Sequence, residues 1–285
     1  MKKFFRMASI GCLAASIALA SCSDDNDSPK PDPENPETPV VSATPSAANV
    51  FTAGLPAVID GASYTFNDKG QVTKITDGDE VINIEYGSFT RAEYQAKVTY
   101  MWEGEIESEM YLQFNEKGFI TYALQVYPEE GMEDDTWTIG YDSDDRMVSL
   151  KRSEGTEDYI ITYVDGDITN VKRYDSDDNS RYEYSISYTS DTQTTPVANK
   201  GNVMLFDESL GIDIDEMAPL YYAGLLGNGT RHLPMMMTEV EEEGSSYIYT
   251  YFWTLNASGF PTKFVSKYTS DDYTYESDVV EFSWK

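Results

Sequence analysis

Over most of its length this chain alternates apolar and polar residues one by one, and that period of two decides what it can fold into. Ala92, Tyr94, Ala96, Val98, Tyr100 and Trp102 alternate with Glu93, Gln95, Lys97, Thr99 and Met101. The same rhythm returns at Ile120, Tyr122, Leu124 and Val126, at Tyr182, Tyr184, Ile186 and Tyr188, and at Tyr247, Tyr249, Tyr251, Trp253 and Leu255. Successive side chains on a strand point to opposite faces, so each run writes one apolar face and one wet face. Tyr, Val, Ile, Thr and Trp, which dominate these runs, are the residues that fit a half-buried pleated surface. The spacing predicts an all-β, antiparallel meander of about a dozen or more strands, forming a barrel-like or curved sheet.

The turns between the runs repeat as well. Phe66-Asn67-Asp68-Lys69-Gly70 returns as Phe114-Asn115-Glu116-Lys117-Gly118 and as Leu255-Asn256-Ala257-Ser258-Gly259. Asn can bond the backbone two residues on, and Gly accepts the positive φ that closes such a loop. Tyr141-Asp142-Ser143-Asp144-Asp145 and Tyr163-Val164-Asp165-Gly166-Asp167 read as degenerate members. One stretch departs from the rhythm: Ile214 to Gly227 is apolar without alternation and predicts one short helix near residues 215–227, with Pro219 in its first turn and Gly227 closing it. A single helix among hairpins is expected to plug the end of a barrel or sandwich rather than to gate a ligand.

The first residues carry an address. Lys2, Lys3 and Arg6 precede an apolar run from Ala8 to Ala20 that is too short to span a bilayer, and Leu19-Ala20-Ser21-Cys22 follows the lipoprotein pattern. The expectation is cleavage after Ser21, acylation of Cys22, and a membrane partnership through that anchor. Ser23-Asp24-Asp25-Asn26-Asp27 resembles the acidic export signal of Bacteroidota-type surface lipoproteins, which implies an outer-membrane protein facing the cell exterior. Residues 22–50, with Pro29, Pro31, Pro33, Pro36, Pro39 and Pro45, read as an extended tether, leaving 51–285 as a single all-β domain. Cleavage removes three cations and no acid, so the net charge moves from −30 to −33, which repels phosphate backbones and excludes nucleic acid as a partner. Cys12 and Cys22 are the only cysteines, so the folded part has neither disulfide nor thiol nucleophile.

Candidate chemistry is thin. His232 is the only histidine and sits outside any Gly-x-Ser-x-Gly elbow, so a loop histidine is favoured over a catalytic base. Asp142-Ser143-Asp144-Asp145, Asp175-Ser176-Asp177-Asp178 and Ser270-Asp271-Asp272 crowd carboxylates without a calcium-loop pattern, and read as solvated hairpin tips. Met235-Met236-Met237 reads as core filling rather than copper ligation. No metal and no cofactor is expected. The 22 tyrosines are the best binding material, and Tyr247, Tyr249, Tyr251, Tyr273 and Tyr275 are the candidates for stacking on a ligand, against the alternative of aromatic ladders facing the core.

Together the lipoprotein pattern, the acidic tether, the hairpin units and the segment Asp215-Glu216-Met217 to Leu233-Pro234 resemble a family of Bacteroidota lipoproteins: the domain of unknown function numbered 4595, described as having a porin-like fold. The hairpin units are also loosely similar to bacterial tyrosine-aspartate repeats. The family resemblance implies a barrel-like antiparallel fold over about Tyr64 to Trp284 and no activity. The working expectation is a monomeric, non-enzymatic surface module that binds an extracellular glycan, peptide or protein. Its alternatives are a barrel carrying a small apolar ligand and a glycan hydrolase using two facing carboxylates.

Overall fold

The computed structural model describes residues 44–87, 89, 94–129, 131–153, 157–175, 179–241, 246–269 and 273–285. The expected signal, Cys22, the tether up to residue 43, Ala92 and the acidic tips at 176–178 and 270–272 lie outside the described residues. The strands are β1 (Pro56–Ile59), β2 (Ala62–Phe66), β3 (Val72–Asp77), β4 (Glu80–Tyr86), β5 (Ala96–Trp102), β6 (Glu105–Phe114), β7 (Ile120–Val126), β8 (Asp135–Tyr141) and β9 (Met147–Arg152). They continue as β10 (Glu157–Val164), β11 (Asp167–Asp175), β12 (Arg181–Ser187), β13 (Met236–Glu241), β14 (Ser246–Leu255), β15 (Pro261–Thr269), β16 (Thr274–Glu276) and β17 (Val280–Trp284).

Each strand pairs antiparallel with the next from β1 to β15; β15 pairs with both β16 and β17, and β17 returns to β1. The short β16 and β17 share one place, so the ring closes with sixteen positions and leaves no free edge. Inward positions such as Ile82, Ile84, Val98, Tyr100, Met110, Leu112 and Ile139 are buried. Outward positions carry charge: Lys97 lies 3.6 Å from Glu85 and 3.2 Å from Glu109 on neighbouring strands, and Lys151 lies 3.2 Å from Asp158. A lipid-facing wall shows the reverse arrangement.

Sixteen strands enclose a lumen wider than their own side chains can fill. The connection between β12 and β13 fills it. It runs through α1 (Phe206–Leu210), the 3-10 turn η2 (Asp215–Met217) and α2 (Ala218–Tyr222). Its contacts go round the wall: Tyr222 packs on Tyr64 of β2, the Tyr100 hydroxyl of β5 donates to the Glu216 carbonyl, and the Ile120 amide of β7 donates to the Leu225 carbonyl. The Asp213 amide donates to the Tyr159 hydroxyl of β10, and Gly211 lies against the Tyr184 ring of β12. A segment that touches strands all round a closed ring sits inside it. Met217, Leu220, Tyr221, Tyr222, Ala223 and Leu225 are all buried, with Tyr221 and Tyr222 at the hub of an aromatic cluster that includes Phe51 and Phe206.

The expected helix is therefore real but shorter, with Pro219 in its first turn as anticipated; it gives way after Tyr222 and Gly224, not Gly227, takes the first left-handed φ. Helix α1 carries a single i, i+4 apolar pair, Phe206 and Leu210, too short a pattern to announce it. Packing also begins earlier than composition suggested. Pro45, Ser46 and Ala47 are buried, and Ser46 caps a 3-10 turn (Ala47–Asn49) whose Ala47 backbone lies where a Cβ on Gly224 would stand. Residues 45–50, read as tether, belong to the barrel because two glycines in the turns and one in the plug leave room for them.

Antiparallel meandering puts alternate connections at opposite ends. At one end the Asn turns follow β2, β6 and β14. Asn67 Oδ1 accepts the amides of Lys69 and Gln71, Asn115 Oδ1 those of Lys117 and Phe119, and Asn256 Oδ1 those of Ser258 and Phe260, at 2.9–3.1 Å. Gly70, Gly118 and Gly259 close them at φ +74°, +88° and +84°. Asp142 does the same work after β8, so that member of the repeat holds. The Tyr163 member does not: Asp165 and Gly166, both at positive φ, form a two-residue hairpin loop. The segment from Pro45 to Phe51 and the two limbs of the plug also meet these turns, so this is the capped end. The other, acidic end carries Asp60, Asp77, Asp79, Glu103, Glu105, Glu129, Glu133 and Asp134 in or beside its connections.

Candidate functional site

Between β10 and β16, towards the acidic end, the inner wall changes character. Cross-strand register sets its side chains in transverse rows. One row reads Tyr159, Arg173 and Tyr182; the next reads Ile161, Val171, Tyr184, Glu239 and Tyr247; the third reads Ile186, Met237, Tyr249, Tyr268 and Tyr275. Directly opposed residues on one face of a sheet touch, so each row is a continuous surface. Tyr268 packs against Tyr249 with ring centroids 5.2 Å apart and against Tyr247 at 5.9 Å, tilted by 44° and 41°. Three rings thus form a corner, and each is half-buried.

Charge is built into that corner. The Tyr249 hydroxyl donates to Glu239 Oε2 at 3.2 Å. Burial, and then the Glu239 carboxylate, hold the Tyr249 hydroxyl protonated far above the ordinary phenol range. Tyr184 is raised for the same two reasons, partly offset by Arg173. Arg173 also lies 3.5 Å from Asp175 and 5.2 Å over the Tyr182 ring. Beneath the corner Tyr251 is only 3 % exposed and packs on Phe264 at 5.4 Å. Burial first, then Tyr249, Asp207, Glu208 and Glu239, push its hydroxyl well up. The Tyr251 hydroxyl is buried without a hydrogen-bond partner.

Of the tyrosines singled out from sequence, Tyr247, Tyr249 and Tyr275 therefore meet at one mouth, Tyr251 forms its floor, and Tyr273 stands beside it, 59 % exposed. Alternation could not show Arg173, Glu239 or Tyr268 as their neighbours, since register between strands far apart in sequence is written in no single strand. Tyr184 and Tyr182 did carry the alternating signal.

A second charged cluster pins the plug to the wall nearby. Asp135, fully buried, accepts from the Thr136 amide and the Ser153 hydroxyl, each at 2.7 Å, and from Arg152 Nε at 2.5 Å. Arg152 stacks 4.6 Å over Trp137 and pairs with Asp215, whose φ of +40° is unusual for a residue with a side chain. Burial raises the Glu216 carboxyl, and Glu216 Oε2 and Gln125 Oε1 are buried without partners.

The remaining candidates are structural here. His232 Nδ1 lies 2.7 Å from Asp167 Oδ2 and its amide donates to Asp167 Oδ1, fastening the plug where it leaves the lumen. Met235 and Met237 are buried core residues. In the Asp142 turn Arg146 bonds Asp142 and Asp144 at 2.8 Å, filling the place a cation would take. Among the described residues no group of three or more His, Cys, Asp or Glu is arranged to hold a metal ion. The carrier alternative needed an empty interior, and the plug occupies the middle of the lumen.

Comparison with known proteins follows the fold. A family model described as a domain of unknown function (DUF4595) with porin-like fold matches residues 64–263. The crystal structure of a porin-like protein from Bacteroides uniformis is similar over 79 % of this chain and 89 % of that one, with a TM-score of 0.57 and 17 % sequence identity. The Photorhabdus luminescens Tc holotoxin pore aligns over 80 % of this chain but 13 % of its own, at 12 % identity and a TM-score of 0.29, which carries no weight for the fold. No curated protein matches the sequence.

Proposed function

Because the chain belongs to the family of domains of unknown function (DUF4595) with a porin-like fold, we propose a function that uses the barrel without using a pore: a non-enzymatic module, lipid-anchored through Cys22 and held outside the outer membrane, that binds an extracellular ligand at the acidic end. The plugged lumen and the charged outer wall support anchoring over insertion, since charges facing lipid are costly. The observation that carries the binding reading is the corner of Tyr247, Tyr249 and Tyr268, three half-buried rings beside Glu239 on the inner wall. Rings that only stabilised a core would be covered, as Tyr221 and Tyr222 are.

The capped end supports this polarity. Pro45 and Ser46 pack on the Gly118 and Gly70 turns at that end, so a tether entering there presents the acidic end outward. Two experiments test the reading. Mass spectrometry of the native N-terminus should find an acylated Cys22; an unmodified Met1 or a free Cys22 thiol overturns the anchor. Glycan, peptide and protein arrays probed with the wild-type chain and with Tyr268→Ala should give signals that the variant loses. Signals indifferent to Tyr268 place binding elsewhere, and no signal on any array removes the binding function.

A further inference from the structure

At the capped end a crevice of about 670 Å³ opens between the Asn67 turn, the last residues of β4 and the approach to β5, with Pro45, Asn67, Gln71, Tyr86 and Gln95 in its lining. Small-ligand sites occupy roughly 300–1,000 Å³, so the volume suits one. Two side-chain amides in it have their orientation dictated by the backbone. Asn67 Oδ1 is taken by the amides of Lys69 and Gln71, so Asn67 turns its Nδ2 to Gln71 and donates to Oε1 at 3.1 Å. Gln71 is 5 % exposed, and with its oxygen engaged the end still to be satisfied is the donor Nε2. Gln95 reaches the same state by another route, because its Oε1 accepts the Phe114 amide at 3.0 Å. Among the described residues neither Nε2 has a partner, and neither is sealed from solvent.

We propose that this crevice is a second binding site, one that takes a sugar bearing an N-acetyl group. Two amide donors ask for acceptors, which a cation does not bring. The Glu85 carboxylate also stands in the lining, and the chain as a whole has 50 acidic against 20 basic residues, so a neutral acceptor is favoured over an anion. An acetamido group supplies a neutral carbonyl with a methyl beside it, and Pro45 and Phe114 are apolar members of the same lining. Tyr86 is half-buried there and held in place, its hydroxyl donating to the Val72 carbonyl at 3.1 Å, so the ring of a sugar has an aromatic neighbour already ordered. Peptides carry neutral carbonyls too, but the main-chain hold on an extended peptide is strand addition, and the closed ring offers no edge for it. The crevice lies at the opposite end from the tyrosine corner and shares no residue with it, so the two sites stand or fall separately.

The test is calorimetric titration of the full chain with a trimer of N-acetylglucosamine, trimers of glucose and of galacturonate, and an N-acetylated trialanine amide. The glucose trimer keeps the rings and lacks the acetamido groups. The N-acetylglucosamine trimer should bind, and each of the other three should bind more weakly by roughly tenfold or more, since a donor built to meet a carbonyl is left unpaired without it. Gln71→Glu and Gln95→Glu each keep the oxygen that holds Asn67 or Phe114 and replace the Nε2 donor by a second oxygen. Thermal melts should therefore match those of the wild-type chain, while each variant weakens the N-acetylglucosamine trimer by roughly tenfold. Failure of that trimer to bind, equal or tighter binding of the glucose trimer, the galacturonate trimer or the peptide, or binding unchanged in either folded variant overturns the site.

Discussion

At the capped end, three Asn turns and one Asp turn satisfy their own amides, and the segment from Pro45 to Phe51 packs Pro45 on the Gly118 turn and Ser46 on the Gly70 turn. At the acidic end, by contrast, carboxylates crowd the connections and the inner wall ends in half-buried tyrosines, an orphaned hydroxyl at Tyr251 and orphaned oxygens at Gln125 and Glu216. The same meander builds both. The difference is what the β12–β13 connection brings: its two limbs start and finish among the turns, and only its bend reaches the other end. Buried polar atoms without a partner occur at both, the Tyr188 hydroxyl and Asn202 Nδ2 lying towards the capped end, so what sets the acidic end apart is its carboxylates and half-buried tyrosines.

The comparison breaks first at the hub that both ends share. Tyr222 stacks on Phe51, meets Tyr64 and Tyr221, and donates to the Met204 carbonyl at 2.8 Å. Tyr222→Ala should cost about 3–5 kcal/mol, as truncation of a buried aromatic usually does. Urea unfolding should show that loss in a single transition, and hydrogen exchange should rise at both ends. If only one end loosened, the plug would be two independent pieces.

A smaller change separates the ends. At Gly224, φ is +78° and a Cβ would stand 2.5 Å from Ala47 Cα and 2.7 Å from the Ser46 carbonyl. Gly224→Ala should cost about 1–3 kcal/mol, since a side chain strains that backbone and the two chains cannot close around it. Exchange should quicken at residues 45–51, and the acidic end should bind its ligand as before. Faster exchange at Tyr249 or Tyr268 would show that the cap sets the shape of the mouth.

These two positions also mark where sequence reading succeeds and stops. The turn at Asn115 is legible because everything it needs lies within five residues: an Asn oxygen, two amides and a Gly. The strands of the Tyr247–Leu255 run are legible because pleating is local. Gly224 is another matter, because its partner Ala47 is 177 residues away and sits in a stretch whose prolines read as tether. The mouth is half legible for the same reason. Tyr247, Tyr249 and Tyr275 announce themselves as alternating tyrosines, but Arg173 and Glu239 become their neighbours only when β11 to β14 pair in one register. Helix α1 was not legible at all: five residues, Phe206–Leu210, take helical form because the lumen closes over Phe206 and Leu210, not because the sequence favours it strongly.

At the acidic end the charge itself can be titrated. Burial raises the Glu216 carboxyl, with Arg152 and a bond from Gln125 working against the rise and Asp135 adding to it; Asp213 and Asp215 flank it on its own segment. A carboxyl raised in the folded state binds its proton more tightly there than in the unfolded chain. Its stabilising contribution is therefore complete below the ordinary carboxylate range and is lost as pH rises through the raised value. Glu216→Gln should remove that fall, flattening the stability curve above pH 4.5 by at most about 1.4 kcal/mol per pH unit. Thermal melts of both proteins between pH 4 and 8 would show it. Parallel curves would mean that Glu216 is solvated in solution and that the bend of the plug is looser than its burial implies.

The finest contrast lies between two tyrosine hydroxyls. Both Tyr222 and Tyr251 are buried, yet only the first has a partner, the Met204 carbonyl. Tyr222→Phe removes a hydrogen bond and strands an acceptor, so it should destabilise by about 1 kcal/mol. Tyr251→Phe removes a group that gains nothing from burial, so it should leave the ligand-free protein unchanged or more stable by less than about 1 kcal/mol. Measured side by side in urea, the two variants ask whether the floor of the mouth is unsatisfied in solution. If Tyr251→Phe costs as much as Tyr222→Phe, the floor of the mouth is already satisfied in the ligand-free protein. If it costs nothing, the hydroxyl gains no stability from the fold around it.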